Sequence, residues 1–317
     1  MQCRRRRRRM QGGKIMVRKL SSVLFAILFL SIIFSGGAWA ATLVTHCVSN
    51  ATELQNALNT AAGNTAPDLI KVVQGTYSGN FFFNSSEGYS ITLRGGYVAG
   101  CGSRVLNPAN TVLDGGGTGK TLVFDNSQGG DVTVEGFTIR NGHGLGSGGG
   151  LAAYSSSPLG SADNVTISSN IITDNTSGQI GAGINAHSMG ETGTGTITIT
   201  GNTITDNIAA TEGGGMHVES GTNTGTVGTV TITNNTVTGN SGRSGGGVYV
   251  YSSSDSGISG NISLSGNTIS GNSADDWGGG ALIDSTGAIG SGNLTVQGNT
   301  LTDNTADGRS GRCCGQR

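Results

Sequence analysis

Tyrosine, histidine and carboxylate side chains recur at a fixed interval along the second half of the chain. Two such series can be written, the second lying two residues before the first in each copy: Tyr154, His187, Glu219, Tyr251 and Asp284; and Ala152, Asn185, His217, Tyr249 and Leu282. If successive copies stack, each series becomes a column, because neighbouring strands lie about 4.8 Å apart. Rings and polar groups gathered on one flat face suit the binding of sugars, by ring stacking and hydrogen bonds.

Seven of these residues are therefore predicted to bind a ligand: Tyr154, His187, His217, Glu219, Tyr249, Tyr251 and Asp284. His187 and Glu219 would be neighbours about 5 Å apart, and such a pair could serve as a general acid and base. Binding is favoured over catalysis. The simplest alternative is an ordinary exposed face, on which large side chains tolerate water.

A third series lies at a turn and contains Asp174, Asp206 and Asp303. Asp174 and Asp206 would stack as adjacent carboxylates, which could share a Ca²⁺ ion or accept hydrogen bonds within the turn. The turn role is favoured, because calcium-binding Gly-Gly-x-Gly-x-Asp repeats are absent from the sequence. No other cofactor is indicated, since the sequence also lacks phosphate-loop and dinucleotide-binding motifs.

An internal repeat of 32 or 33 residues sets the spacing of these series. One asparagine recurs in five successive copies: Asn170, Asn202, Asn235, Asn267 and Asn299. A second asparagine follows each of them by five residues, and a glycine cluster recurs in phase with both. Self-similarity of this length is the signature of a solenoid.

Each copy contains three short strands. Apolar and polar residues alternate at 196–200 and at its counterparts, a second strand follows the first asparagine, and a third follows the glycines. With no helical pattern between them, each strand pairs in parallel with its equivalent one turn away. The predicted fold is all-β, a right-handed parallel β-helix forming a single-stranded solenoid, in which asparagines stack at the turns.

The segment before the repeats is expected to close the N-terminal end of the coil. Residues 50–62 predict a short helix, with Asn50 as its cap and Glu53 placed as in a capping box. Residues 69–73, 81–83, 91–93 and 111–113 predict further strands. Residues 41–130 are thus assigned to a cap and the first coils, and residues 131–317 to the β-helix repeats.

The first 40 residues are expected to be a leader. Residues 16–40 have the layout of a secretory signal peptide: a basic start, an apolar stretch and Ala38-Trp39-Ala40 before the cleavage site. A membrane anchor of about 20 residues is the alternative, and no membrane span is expected after cleavage. Residues 1–15 contain six consecutive arginines. We interpret these 15 residues as the result of a start codon assigned too far upstream. A nucleic-acid-binding arm is the alternative.

Charge and cysteine content agree with an exported protein. Without residues 1–40 the chain carries nine basic and 19 acidic groups, a net charge of −10. This charge repels nucleic acids, which are excluded as partners. Cys47 and Cys101 flank the first segment and could form a disulfide, which would stabilise the fold by about 4 kcal/mol on the chain-entropy model.

The C-terminal residues depart from the repeat. A glycine cluster is due near position 312, where the sequence has Arg312, Cys313 and Cys314 instead. Because the ends of solenoids need a capping element, a truncated or frame-shifted reading frame is favoured. The alternative is that the protein naturally ends here and that its last coil packs against a partner.

Several motifs carry a resemblance to a known group. They are the glycine triplets followed by an apolar residue, Asn-Thr-Ile-Thr-Asp-Asn at 202–207, Gly75-Thr76-Tyr77 and Gly95-Gly96-Tyr97. In these the chain resembles bacterial right-handed β-helix surface proteins, including the polymorphic outer-membrane protein type. The Phe-x-x-Asn motif usual in that type is absent from the repeats here. The resemblance implies a β-helix displayed at the outer membrane or cell surface.

These observations predict an exported protein, secreted or held at the bacterial cell surface, with an adhesin-like or structural role. A polysaccharide or a cell-surface glycan is its expected partner. The alternative is a carbohydrate-active enzyme, either a polysaccharide lyase, a hydrolase or an epimerase, acting on the outward face of the third strand. A non-enzymatic role is favoured, because the sequence contains no concentrated set of acid and base residues.

Overall fold

Parallel pairing between successive copies of the repeat builds the described part of the chain, residues 41–308 of a computed structural model. Each strand pairs with its equivalent one repeat away, so that Val165 lies opposite Ile197 and Ile197 lies opposite Val230. The described chain is therefore all-β apart from a few short helices, and it is a right-handed parallel β-helix, as predicted.

The first two sheets carry the predicted first and second strands of each copy. The first sheet has nine strands: Val44–Val48, Asp68–Val73, Ile91–Tyr97, Val132–Glu135, Val165–Ser168, Ile197–Thr200, Val230–Thr233, Ile262–Ser265 and Leu294–Gln297. The second sheet has eight: Gly75–Ser78, Thr111–Asp114, Thr138–Arg140, Ile171–Thr173, Thr203–Thr205, Thr236–Thr238, Thr268–Ser270 and Thr300–Thr302.

The third sheet carries the predicted third strands, and from His143 onward each coil adds a strand of a fourth sheet, which follows its second-sheet strand. The third sheet has seven strands: Phe81–Ser85, Leu122–Asn126, Leu151–Ser157, Ile184–Gly190, Met216–Thr222, Val248–Ser254 and Ala281–Gly287. The fourth sheet has six: His143–Gly144, Thr176–Ser177, Ile208–Ala209, Ser241–Ser244, Ser273–Trp277 and Thr305–Ala306. Four of these last six strands contain only two residues, too few for alternation to show in the sequence.

Two buried asparagine ladders run through the turns on either side of the second sheet. Asn202 illustrates the pattern: its Nδ2 donates to the carbonyl oxygen of Ile167 and to Oδ1 of Asn235 in the next coil, at 3.0 Å each. Its backbone N–H donates to the same Oδ1 at 2.9 Å. The second ladder, through Asn207 and its equivalents, repeats this arrangement. The ladders satisfy backbone groups that the turns leave without strand partners.

The interior of the coil is a continuous column of aliphatic side chains. Ile197, Ile199, Ile204, Ile184 and their equivalents in neighbouring coils are fully buried. Val296 and Leu301 in the last described coil are 51% and 39% exposed, because no further described coil covers them. Burial in one coil therefore depends on the presence of the next, as expected of a solenoid.

A short helix closes the other end of this column. Helix α1, Ala51–Ala62, begins at Asn50, whose side chain accepts a hydrogen bond from the Glu53 N–H at 2.9 Å. The Glu53 carboxylate in turn accepts from the Ser49 N–H at 2.8 Å. The buried side of the helix contains Leu54, Ala57, Leu58 and Ala61, and it packs on the first coil. The predicted capping helix is thus present.

A disulfide joins the first strand of the first sheet to a turn after its third strand. Cys47 and Cys101 are bonded, with their Cα atoms 5.9 Å apart. Cys101 lies in a short 3-10 helix, Ala99–Cys101, and a second such helix spans Pro108–Asn110. Within residues 41–308, no helix has the length and apolarity needed to cross a bilayer. The predicted leader, residues 1–40, and the irregular end after residue 308 lie outside the described residues.

Candidate functional site

The two outward columns of the third sheet have the register predicted for them. Tyr154 lies opposite His187, His187 opposite Glu219, and Glu219 opposite Tyr251, which in turn pairs with Asp284. The other column joins Ala152, Asn185, His217, Tyr249 and Leu282 in the same way. The candidate site is therefore a continuous surface across five coils.

The surface is not the flat, exposed face expected from the sequence, because three of the five residues in one of its columns are covered. Ala152, Asn185 and His217 are buried, with at most 3% of each residue exposed. The turn that precedes each third strand folds back over this column. We call this turn the glycine corner; it consists of a glycine cluster, such as Gly213–Gly215, and the residue directly before it. Gly181 has a φ of +61°, and a Cβ placed on it would lie 2.7 Å from the Cβ of Asn185. Glycine is needed there for its backbone conformation and for this close approach.

Four rings form a row along the coil axis, and we call Tyr154, His187, His217 and Tyr249 the aromatic row. Successive ring centroids are 4.9, 5.6 and 5.1 Å apart. The rings of His217 and Tyr249 are nearly parallel, with an interplanar angle of 6°. Centroid separations in this range are typical of favourable ring contacts. Tyr154, His187 and Tyr249 are partly exposed, whereas His217 forms the buried middle of the row.

Two carboxylates approach the histidines of the row. Oε2 of Glu219 lies 3.8 Å from Nε2 of His187, and Oε2 of Glu212 lies 3.6 Å from Nε2 of His217. Both separations are too long for a hydrogen bond, and they would become ion pairs only if the imidazole were protonated. The pair of His187 and Glu219 is thus brought together as predicted. Glu212 comes from the glycine corner and was not among the predicted site residues.

Burial shifts the pKa values of three groups at the site, His187, Tyr154 and Tyr249, in the direction that favours their neutral forms. Burial, with a smaller contribution from the neighbouring His217 imidazole, lowers the pKa of His187 to about 3. Burial raises the pKa of Tyr154 and of Tyr249 to about 12. The contact with His217 lowers the pKa of the Glu212 carboxyl. At neutral pH the surface therefore presents the neutral imidazole of His187, the phenol groups of Tyr154 and Tyr249, and the ionised carboxylate of Glu212.

Polar contacts continue the site at both ends. The Asn185 side chain donates to the Tyr154 hydroxyl at 2.8 Å, and the Tyr251 hydroxyl lies 3.1 Å from the Thr286 hydroxyl.

Beside these strands an open groove of about 450 Å³ is lined by residues that include Asp125, Met189 and Glu191. The groove adds a depression to the surface, in which part of a ligand could lie.

The corner beside the columns adds residues that the sequence analysis missed. Glu212, Ser244 and Trp277 pair in register with one another, so they form one row at the corner. Trp277 is 52% exposed. Asp125 extends the predicted column, because it lies opposite Tyr154. A signal for Glu212 and Trp277 existed in the sequence: each directly precedes a glycine cluster, Gly213–Gly215 or Gly278–Gly280.

Asp174 and Asp206 occupy turn positions with left-handed backbone conformation. Their φ angles are +56° and +55°, and Gly239 takes their place one coil later with +66°. Aspartate and glycine are among the residues that best tolerate this conformation. Each carboxylate also accepts a hydrogen bond from the threonine before it, at 3.0 and 3.1 Å. These contacts account for both residues without an ion, and the predicted Ca²⁺ site stays a prediction.

Comparison with known proteins adds no further assignment. No protein-family model matches this chain, and neither the curated proteins nor the solved structures include a significant match to it. The function is therefore argued from the site alone, because one fold supports many unrelated activities.

Proposed function

We propose that the protein is an exported, adhesin-like β-helix that binds a neutral or amino-sugar polysaccharide along the third sheet. One observation carries the proposal: the aromatic row of Tyr154, His187, His217 and Tyr249, with its rings 4.9 to 5.6 Å apart. Aromatic rings pack against the apolar faces of sugar rings, and phenol and imidazole groups bond to sugar hydroxyls. A polymer with a repeating unit suits a surface that repeats along the coil axis.

The charge of the surface narrows the class of glycan. Asp125, Glu212, Glu219 and Asp284 border the aromatic row, and the two columns contain no lysine or arginine. Carboxylates repel a polyanion and attract a cationic amine. The surface therefore favours neutral sugars and free amino sugars over uronates.

Two features support export. Residues 16–40 have the layout of a signal peptide. The disulfide between Cys47 and Cys101 belongs to an oxidising compartment, such as the periplasm or the cell exterior. We place the protein at the cell surface or in the medium, where it would meet polysaccharide.

A glycan array with neutral, amino-sugar and uronate polymers tests this function, together with a pull-down on cell-wall material. Binding is expected for the first two classes. Tyr249→Ala and Tyr154→Ala should each weaken it about five- to tenfold, equivalent to about 1 kcal/mol or more. Tyr89→Ala is the matched control, since Tyr89 is partly exposed and lies outside the two columns. No binding in either assay, or equal losses for all three variants, would contradict the proposal.

The 3.8 Å separation of His187 and Glu219 keeps a carbohydrate-active enzyme as the second candidate. With a pKa lowered to about 3, His187 is neutral and could act as a base, although not as an acid, at neutral pH. The same glycans should be assayed for cleavage or epimerisation. We expect none. Turnover abolished by His187→Ala and by Glu219→Ala would establish the enzyme instead.

A further inference from the structure

Three side chains with metal-binding chemistry converge on the third sheet. His187, His217 and Glu219 each offer one ligand atom, and these atoms lie within 4.8 Å of one another. His187 and Glu219 are register partners in adjacent coils, and His217 lies two residues before Glu219 on the same side of its strand. Among residues 41–308, this is the only group of three or more such side chains within reach of a single ion.

The two imidazoles carry buried nitrogens without partners. Nε2 of His187 and Nδ1 of His217 are inaccessible to solvent, and neither has a hydrogen-bond partner among residues 41–308. The His217 side chain is only 4% exposed. Buried polar atoms are nearly always paired, and leaving one unpaired costs about 1–3 kcal/mol in a typical protein. These two atoms therefore need an explanation that the protein's own contacts do not supply.

We propose that His187, His217 and Glu219 form a binding site for a divalent transition-metal ion such as Zn²⁺. Two imidazoles and a carboxylate are the ligands of many open zinc sites, in which a fourth position remains for water or substrate. Tetrahedral bonds of about 2.1 Å put ligand atoms about 3.4 Å apart. Nε2 of His187 and Oε2 of Glu219 are 3.8 Å apart, close to that separation, and all three ligand atoms lie within 4.8 Å of one another, so side-chain rotations would be needed to bring them around one ion.

Glu212 is placed to orient one of the ligands. Its Oε2 lies 3.6 Å from Nε2 of His217, on the ring nitrogen opposite the unpartnered Nδ1. A proton held on Nε2 by this carboxylate leaves the lone pair of Nδ1 free for a metal. Carboxylates commonly fix metal-binding histidines in this way.

Soft and borderline cations are favoured over Ca²⁺ and Mg²⁺ by this ligand set. Imidazole suits Zn²⁺, Cu²⁺ and Ni²⁺, whereas Ca²⁺ and Mg²⁺ prefer six or more oxygen ligands. The site is thus distinct from the Ca²⁺ site considered at Asp174 and Asp206. It also does not depend on glycan binding, since the metal can be titrated without any sugar.

Zinc titration of the full chain by isothermal calorimetry tests the site. The protein is first stripped with EDTA, in a background where Cys3, Cys313 and Cys314 are serine, because free thiolates bind zinc by themselves. We expect one zinc ion per chain and a higher thermal midpoint with zinc. A tenfold excess of Ca²⁺ or Mg²⁺ should not compete.

Single substitutions then locate the ion. His187→Asn, His217→Ala and Glu219→Gln should each weaken zinc binding at least tenfold and remove the thermal shift. The partly exposed His187 and Glu219 keep the test valid if His217→Ala fails to fold. His143→Ala removes an exposed imidazole on the fourth sheet and should leave the affinity unchanged. The absence of zinc binding in the parent, or its persistence in all three variants, would overturn the proposal.

Discussion

At the scale of single residues, the chemistry of the third sheet depends on how deeply each outward side chain is covered. His187 and His217 lie on neighbouring strands and both point outward, yet the side chain of His187 is 20% exposed and that of His217 only 4%. The glycine corner makes the difference, because it lies over the column of His217 and leaves that of His187 partly open. Burial in turn sets the protonation of His187.

The lowered pKa of His187 predicts a pH-dependent stability. Between its usual pKa of 6.5 and about 3, the unfolded chain binds a proton that the folded chain does not. The free energy of unfolding should therefore fall as pH decreases through this window, by up to about 1.4 kcal/mol per pH unit from this group. Urea unfolding of the EDTA-treated protein between pH 7.5 and 4 measures it.

Other groups also titrate in this range, so the contribution of His187 is isolated by difference. His187→Gln should show a shallower decline in stability than the parent protein. His143→Gln, which removes an exposed imidazole, should keep the slope of the parent. Parallel profiles for the parent and His187→Gln would show that this ring titrates alike in the folded and unfolded chains.

At the scale of secondary-structure elements, the N-terminal helix α1 caps one end of the solenoid. The aliphatic column of a β-helix is open at each end, and α1 covers one end with Leu54 and Leu58, both fully buried. The capping contacts of Asn50 and Glu53 fix where the helix begins. The helix thus covers the apolar side chains of the first coil, just as each coil covers those of its neighbour.

Truncating a buried side chain of α1 tests this capping role. Leu58→Ala should lower the free energy of unfolding by about 2–5 kcal/mol, through lost burial and a cavity at the end of the column. The midpoint of a urea transition followed by circular dichroism measures the loss. Thr52→Ala, on the exposed side of the same helix, should change it by less than about 0.5 kcal/mol. Equal midpoints for the two variants would mean that α1 does not stabilise the coil.

At the scale of the whole molecule, the asparagine ladders couple the coils to one another. Each ladder asparagine that has a described coil on both sides bonds to the coil before it and to the coil after it. Asn207, for example, donates to the Ile172 carbonyl and to Oδ1 of Asn240, and its own Oδ1 accepts from Asn175. A single side chain therefore joins three coils. Stability in such a stack comes from contacts between neighbours.

Removing one rung should destabilise several coils together. Asn207→Ala leaves buried donors and acceptors unpaired on both sides, at about 1–3 kcal/mol each, so a total loss of about 2–5 kcal/mol is expected. Hydrogen exchange should show faster exchange of the backbone amides of Asn175 and of position 207, both of which donate within the ladder in the parent protein. Asn56→Ala, which removes an exposed amide of α1, is the control. A loss confined to the substituted turn would argue against coupling along the ladder.

The sequence by itself determined the coil, its register and its capping helix. The periodic asparagines and glycines placed His187 beside Glu219, because a parallel solenoid turns a separation of one repeat into contact between neighbours. The C-terminal irregularity and the leader remain predictions from sequence alone. The strands of the fourth sheet escaped prediction because most are too short to show any alternation.

Only the tertiary structure decided which outward residues are covered and which atoms lack partners. Alternation along a strand separates inside from outside, but it does not show that a corner of the same coil folds back over the outer side. That corner buries His217, brings Glu212 to its ring and gathers His187, His217 and Glu219 around one point. Such convergence depends on the path of the corner backbone in three dimensions, which the spacing of residues along the chain does not specify.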